Sequence, residues 1–270
     1  MFDYHVHSNY SADCNTPMEK SIQRAVELGL REICFTEHID YEYPDETIDF
    51  DLDLRSYDKQ IMQLQEKYKD VIKIKKGVEI GVQPYLLDRY DRLMANEDFD
   101  FVICSMHTAN KKDLHSGHFF KNMSTADAYQ LYYNELLYCV ENFQNYSILG
   151  HIDLVKRYQQ EPEDERFHEV ISAIFKEIIP AGKGIELNTS GVRYGMKNGM
   201  PSTDILKLYL ESGGEVLTLG SDSHSEQTIA FQFQESLELL EYIGFRYITT
   251  FENQLPIFHS IKKLKGNENF

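Results

Sequence analysis

Two histidines one residue apart, His5 and His7, sit in an N-terminal segment that reads as a β-strand. Side chains at i and i+2 of a strand share a face, so both imidazoles can approach one point while Phe2, Tyr4 and Val6 point the other way. Such a pair is half of a metal site, or else two polar residues on a solvated face. Residues of the same ligand types recur at His38, Glu79, His107, His151, Asp222 and His224. They fall at or just beyond the ends of short apolar runs: 32–36, 71–79, 99–106, 146–149 and 216–219.

Imidazole together with carboxylate suits zinc, iron or manganese rather than calcium or magnesium alone. One catalytic ion takes about three protein ligands and keeps a position open. The eight strand-end ligands His5, His7, His38, Glu79, His107, His151, Asp222 and His224 exceed that need, which predicts a polynuclear centre. Asp13, on the loop after the first strand, is a ninth candidate, and its spacing equally fits a turn residue that caps Asn15 or Thr16. Glu79 is the strand-end carboxylate best placed to bridge two ions. A water shared by two ions loses its proton near neutral pH, and the same ions stabilise the oxygens of an in-line displacement at phosphorus. The chemistry predicted is therefore phosphate ester hydrolysis.

Arg157, six residues beyond His151, and Arg193, five beyond Asn188, fall on loops after two of these strands. A guanidinium there can grip phosphate oxygens with two N–H groups at once. Lys156 reads as solvated, as do His115 and His118 in a long polar loop over 108–122. The acidic residues Asp40, Glu42, Asp45 and Glu46 read as a solubilising loop.

Strands and helices must alternate to place these residues. Thr16-Pro17-Met18-Glu19 has the form of a capping box, and Ile22, Ala25, Val26 and Leu28 continue an amphipathic helix that Gly29 stops. Further helices follow around residues 61–68, 84–94, 124–143, 167–178, 202–210 and 229–243, with strands between them and a closing strand at 247–250. About seven such alternations predict a parallel sheet closed into a barrel, whose strand C-termini share one face. An open doubly wound sheet satisfies the same periodicity, but no G-x-G-x-x-G follows any strand. Residues 1–270 read as one domain, with no repeat or linker.

The formal charge of -17 argues against a nucleic-acid surface, so an anionic substrate needs a local positive centre such as bound cations. Cys14, Cys34, Cys104 and Cys139 lack C-x-x-C spacing and fit a reducing cytoplasm. No apolar run nears the roughly 18 residues of a membrane span, and no secretory signal pattern opens the chain.

The ordered set His5-Val-His7, Asp13, Glu37-His38, Gly77-Val78-Glu79, Ser105-Met106-His107, Gly150-His151-Ile152-Asp153 and Ser221-Asp222-Ser223-His224 resembles the polymerase and histidinol phosphatase (PHP) superfamily. It looks most like the histidinol-phosphatase branch. The resemblance implies a distorted (β/α)7 TIM-like barrel that hydrolyses L-histidinol phosphate to L-histidinol and phosphate in histidine biosynthesis, through a metal-bridging hydroxide. It further implies two or three divalent transition metal ions. His5, His7, Glu79 and Asp222 would hold one, Glu79, His107 and His151 a second, and Asp13, His38 and His224 a third. Arg157 and Arg193 look like the family's phosphate-gripping positions. Asp222, His224 or a metal-bound water would protonate the leaving group. The alternatives are a PHP phosphoesterase for another small phosphate ester or nucleotide, a metal-binding domain without activity, and an amidohydrolase; no strand-end lysine replaces Glu79 as the last would require.

Overall fold

The structure, a computed structural model, describes residues 1–159 and 164–266. Seven β/α units follow one another: β1 (Phe2–Val6), α1 (Met18–Glu27), β2 (Glu32–Ile39), α2 (Leu54–Tyr68), β3 (Lys73–Gly81), α3 (Leu87–Asn96), β4 (Phe101–Ser105), α4 (Thr125–Asn142), β5 (Ile148–Leu149), α5 (His168–Ile178), β6 (Gly184–Asn188), α6 (Thr203–Glu211), β7 (Leu217–Gly220) and α7 (Phe233–Ile243). The seven strands pair in parallel in sequence order. Between β7 and β1 the ladder shrinks to one bridge, Val6 with Ser223, where His7 N–H donates to Ser223 O at 2.9 Å. The result is a nearly closed, distorted TIM-like barrel and not an open sheet.

Local chemistry explains the elements. All eight residues of β2 are buried, so its sequence EICFTEHI does not alternate as a half-solvated strand would. On α1, Met18, Ile22 and Ala25 recur at helical spacing and pack on the barrel. The helix ends at Gly29, whose φ of 70° is open to glycine, while Leu30 N–H donates to Ala25 O and Gly29 N–H to Val26 O. Helix tyrosines tie strands together: the Tyr57 hydroxyl lies 3.0 and 2.9 Å from the carbonyls of Phe35 and Gly77, on β2 and β3.

Several local expectations are corrected. The capping box at α1 does not form: Pro17 is the N-cap without a side-chain bond, and the Thr16 hydroxyl donates to His224 O at 3.1 Å. α7 begins at Phe233, four residues later than its apolar spacing suggests. The closing strand belongs to an antiparallel hairpin, β8 (Tyr247–Glu252) with β9 (Leu255–Ser260), outside the barrel sheet. It seals the end of the barrel where the strands begin: Phe251 packs 5.0 Å from Phe101, its N–H donates to Tyr4 Oη, and Asn253 N–H donates to Asp100 Oδ1. Lys156 is not solvated but buried, with Nζ 3.2 Å from both Asp153 Oδ2 and Ser202 Oγ.

Among the described residues no helix is long and apolar enough to cross a membrane. The four cysteines are free and buried.

Candidate metal centre

Parallel strands lift their C-terminal residues to one rim, and the sequence puts its ligand-type residues there. His5 and His7 come from the end of β1, His38 from β2, Glu79 from β3, and His107, His151, Asp222 and His224 from just past β4, β5 and β7. Asp13 reaches in from the β1–α1 loop. Glu79 is the hub: its Oε2 lies 3.0 Å from His5 Nε2, 3.4 Å from His7 Nε2 and 3.2 Å from His38 Nδ1, and its Oε1 lies 3.2 Å from His107 Nε2 and 3.0 Å from His151 Nε2. Asp222 Oδ1 is 3.8 Å from His5 Nε2 and 3.6 Å from His7 Nε2. Asp13 Oδ2 is 3.2 Å from His224 Nε2 and 3.6 Å from His38 Nε2. All nine expected ligand residues are therefore brought together.

A single device orients several of these rings. His5 Nδ1 lies 2.8 Å from Glu186 Oε2, His107 Nδ1 lies 2.6 Å from Asp40 Oδ1 and His7 Nδ1 lies 3.2 Å from Ser11 Oγ. Each contact anchors one ring nitrogen and leaves Nε2 facing the cluster. Sequence reasoning missed these three partners. Glu186 had a signal, an acid inside the apolar strand Gly184–Asn188, buried at 1% exposure. Asp40 does not belong to the solubilising loop: it is buried against His107 and His38, and Gly81 makes room for it, since a Cβ there would lie 1.7 Å from Asp40 Oδ1.

Electrostatics fits divalent cations. Burial penalises the Glu79 carboxylate, but the surrounding His5, His107 and His38 outweigh it and hold its pKa well below the usual range. Burial likewise opposes ionisation of Asp40, yet His107 and His38 hold it down at about 2. The close ionic partners of Glu79, Asp222, Asp13, Asp40 and Glu186 are imidazoles. Several buried carboxylates side by side call for compensating positive charge. Burial and the neighbouring His38 and His224 keep His7 well below its ordinary pKa, hence neutral. Its Nε2 is fully buried without a hydrogen-bond partner, as a lone pair reserved for a metal would be. The triads His5/His7/Asp222, His5/Glu79/His151, His38/Glu79/His107 and His7/His38/His224 each place their donor atoms within 4.8 Å of one another. The donor set fits transition metals.

A cavity of about 330 Å³ opens onto the cluster, with Tyr43, Phe50, His115, Arg157, Tyr158 and Tyr194 among its walls. The Arg157 guanidinium lies over the Tyr194 ring, its Cζ 3.2 Å from the centroid, with Nε buried and unpaired. His115, exposed, stands edge-on to Tyr158 at the rim, 6.0 Å between rings, instead of lying wholly in solvent. Arg193 borders the cluster at Asp222: its Nη1 and Nη2 donate to the carbonyls of Ser221 and Asp222, each at 2.8 Å.

A nearly closed seven-stranded barrel with metal-ligating residues at its strand ends defines a class, and comparison with known families agrees. The chain belongs to the PHP family, whose PHP domain model matches residues 3–190. Histidinol-phosphatase of Lactococcus lactis is 33% identical over 92% of this chain and 93% of that protein. A crystal structure of histidinol phosphate phosphatase from the same organism, complexed with zinc, L-histidinol and phosphate, superposes with a TM-score of 0.84 at 31% identity, covering 95% of this chain and 98% of that one. A structure from Listeria monocytogenes, 20% identical and covering 87% of this chain and 99% of that one, shares the fold at a TM-score of 0.75.

Proposed function

We propose that this chain is a cytoplasmic, metal-dependent phosphomonoesterase that hydrolyses L-histidinol phosphate to L-histidinol and phosphate in histidine biosynthesis, working as one domain over residues 1–270. The observation that carries the reading is the convergence of five imidazoles on the Glu79 carboxylate beneath a cavity walled by Arg157. The resemblance to a phosphatase crystallised with zinc, histidinol and phosphate supports the substrate.

We assign two or three zinc, iron or manganese ions to the cluster: one to His5, His7, Glu79 and Asp222, one to Glu79, His107 and His151, and one to Asp13, His38 and His224. Bound there, such ions supply an activated water and offset the charge that develops at phosphorus. The protein's own groups do the rest. Glu79, reaching both sides of the cluster through its two oxygens, is the shared ligand. Arg157, held over the Tyr194 ring, takes the phosphate oxygens with its guanidinium. Asp222 or His224, both lining the cavity, or a water held at the centre would protonate the leaving alkoxide.

A panel of phosphomonoesters tests the substrate. Histidinol phosphate is expected to turn over faster than p-nitrophenyl phosphate, sugar phosphates and nucleotides. If it turned over no faster than p-nitrophenyl phosphate, the substrate assignment would fail and a different small phosphate ester or nucleotide would take its place. Elemental analysis after growth in metal-replete medium is expected to find at least about two transition-metal equivalents per chain; fewer would defeat the polynuclear centre.

A further inference from the structure

Behind the cluster, Glu37 is fully buried and takes no part in the chemistry described above. Its contacts run to the β1–α1 loop: Oε2 accepts from Ser8 N–H at 3.0 Å and from Ser11 Oγ at 2.6 Å, and Oε1 accepts from Ser8 Oγ at 2.5 Å. Ser11 Oγ in turn accepts from His38 N–H at 3.1 Å and lies 3.2 Å from His7 Nδ1. The His7 ring is stacked between those of His38 and His224, 4.3 Å from each centroid.

Backbone donors decide where the protons lie. An amide N–H can only donate, so Ser8 N–H makes Glu37 Oε2 an acceptor, and the short contact to that oxygen takes the one hydroxyl proton of Ser11. With its proton spent, Ser11 Oγ has only lone pairs left: one receives His38 N–H and the other faces His7 Nδ1. A neutral imidazole carries a single N–H, so in His7 that proton stands on Nδ1 and Nε2 is a bare lone pair. The same assignment accounts for an Nε2 that is buried without a hydrogen-bond partner.

We propose that Glu37 and Ser11 are positioning residues, a relay that holds the His7 proton on Nδ1 and so keeps Nε2 free to ligate, while the same Ser11 oxygen ties down the backbone of His38. One hydroxyl thereby serves ligands assigned to two different ions. The other tautomer would turn an N–H toward the metal and would have to move that proton before binding. The inference rests on reading His7 and His38 as metal ligands.

The test compares wild type, Ser11→Ala, Glu37→Met and Glu37→Gln, all purified as full chains from metal-replete growth. Loss of transition metal during dialysis against a chelator is followed by elemental analysis. The ring nitrogens of isotope-labelled histidine are then read by NMR in the stripped chains, with His7 identified by the signal missing from His7→Gln. Ser11→Ala and Glu37→Met are expected to lose metal about tenfold faster than wild type, the scale for groups that orient metal ligands, and Glu37→Gln to stay within about twofold, because its amide oxygen can still accept at the Oε2 position. In wild type and Glu37→Gln the His7 proton is found on Nδ1. In Ser11→Ala and Glu37→Met the Nε2–H form appears, a change that lost packing alone does not produce. An Nε2–H form of His7 in wild type, or wild-type metal retention in both Ser11→Ala and Glu37→Met, overturns the proposal. Should Glu37→Met fail to fold, or wild type lose its fold without metal, retention in Ser11→Ala against Glu37→Gln decides, and equality of the two overturns it. A wild-type chain that binds no transition metal defeats the reading of the site itself, which is a separate outcome.

Discussion

Glu186 lies behind the histidines and Asp40 forms part of the cavity wall beside them, and the two set how His5 and His107 present Nε2. A carboxylate on Nδ1 fixes the tautomer and the ring plane and makes the other nitrogen more basic. Glu186 does more than this, since its Oε1 also accepts from Asn188 Nδ2 at 2.5 Å and from His151 N–H at 3.3 Å, coupling β1, β5 and β6. Glu186→Gln is isosteric, and its amide can still accept through one oxygen. We expect it to lower metal affinity by about 10–100-fold with kcat/KM falling alongside, read by competition against a chelator. Affinity equal to wild type would mean that His5 is oriented by packing alone.

At the scale of elements, helices in this barrel are conventional where they face solvent and unconventional where they meet the site. α4 begins with Ser124 accepting from Asp127 N–H at 3.1 Å, as its sequence implies. α1 should begin the same way at Thr16, but that hydroxyl is spent on His224 O, beside a candidate ligand. A helix-capping signal was legible in both sequences, and only the tertiary partner separates them. Ser124→Ala is expected to cost about 1 kcal/mol of stability. In a chain of this size that lowers Tm by roughly 2–4 °C or less. Thermal unfolding with unchanged steady-state kinetics at 25 °C is the expected pair of results; a change in kcat would tie α4 to the chemistry.

On the scale of the whole molecule, the barrel is sealed at the end opposite its site. The β8–β9 hairpin lays Phe251 against Phe101 and Tyr4, with ring centroids 5.0 and 6.5 Å apart. Phe251→Ala is expected to destabilise by about 3–5 kcal/mol through lost burial and the cavity left behind. Because the hairpin lies far from the strand C-termini, KM measured well below the new Tm should match wild type. Denaturant titration and kinetics on the same preparation decide it; altered KM would show that the two ends of the barrel communicate.

Much of this was written in the sequence itself. Strand alternation at His5 and His7, and the recurrence of His38, Glu79, His107, His151, Asp222 and His224 at the ends of apolar runs, are local features, and a parallel barrel turns local strand ends into one rim. The alternating β/α class and a set of candidate ligands follow from that rule without knowledge of any contact, whereas closure into a barrel does not follow from periodicity, because an open sheet satisfies the same alternation. Tertiary structure alone decided the rest: that Glu186 and Asp40 back the histidines, that Lys156 is buried, that 247–250 leaves the barrel for a hairpin, and that Arg193 holds a backbone turn while Arg157 walls the cavity. The bonds of Glu186 to His5, of Asp40 to His107 and of Arg193 to its turn join residues 28 to 181 apart. Periodicity carries no information about which side chain meets which across the barrel, because that choice is made by packing and by the need to satisfy each buried polar group.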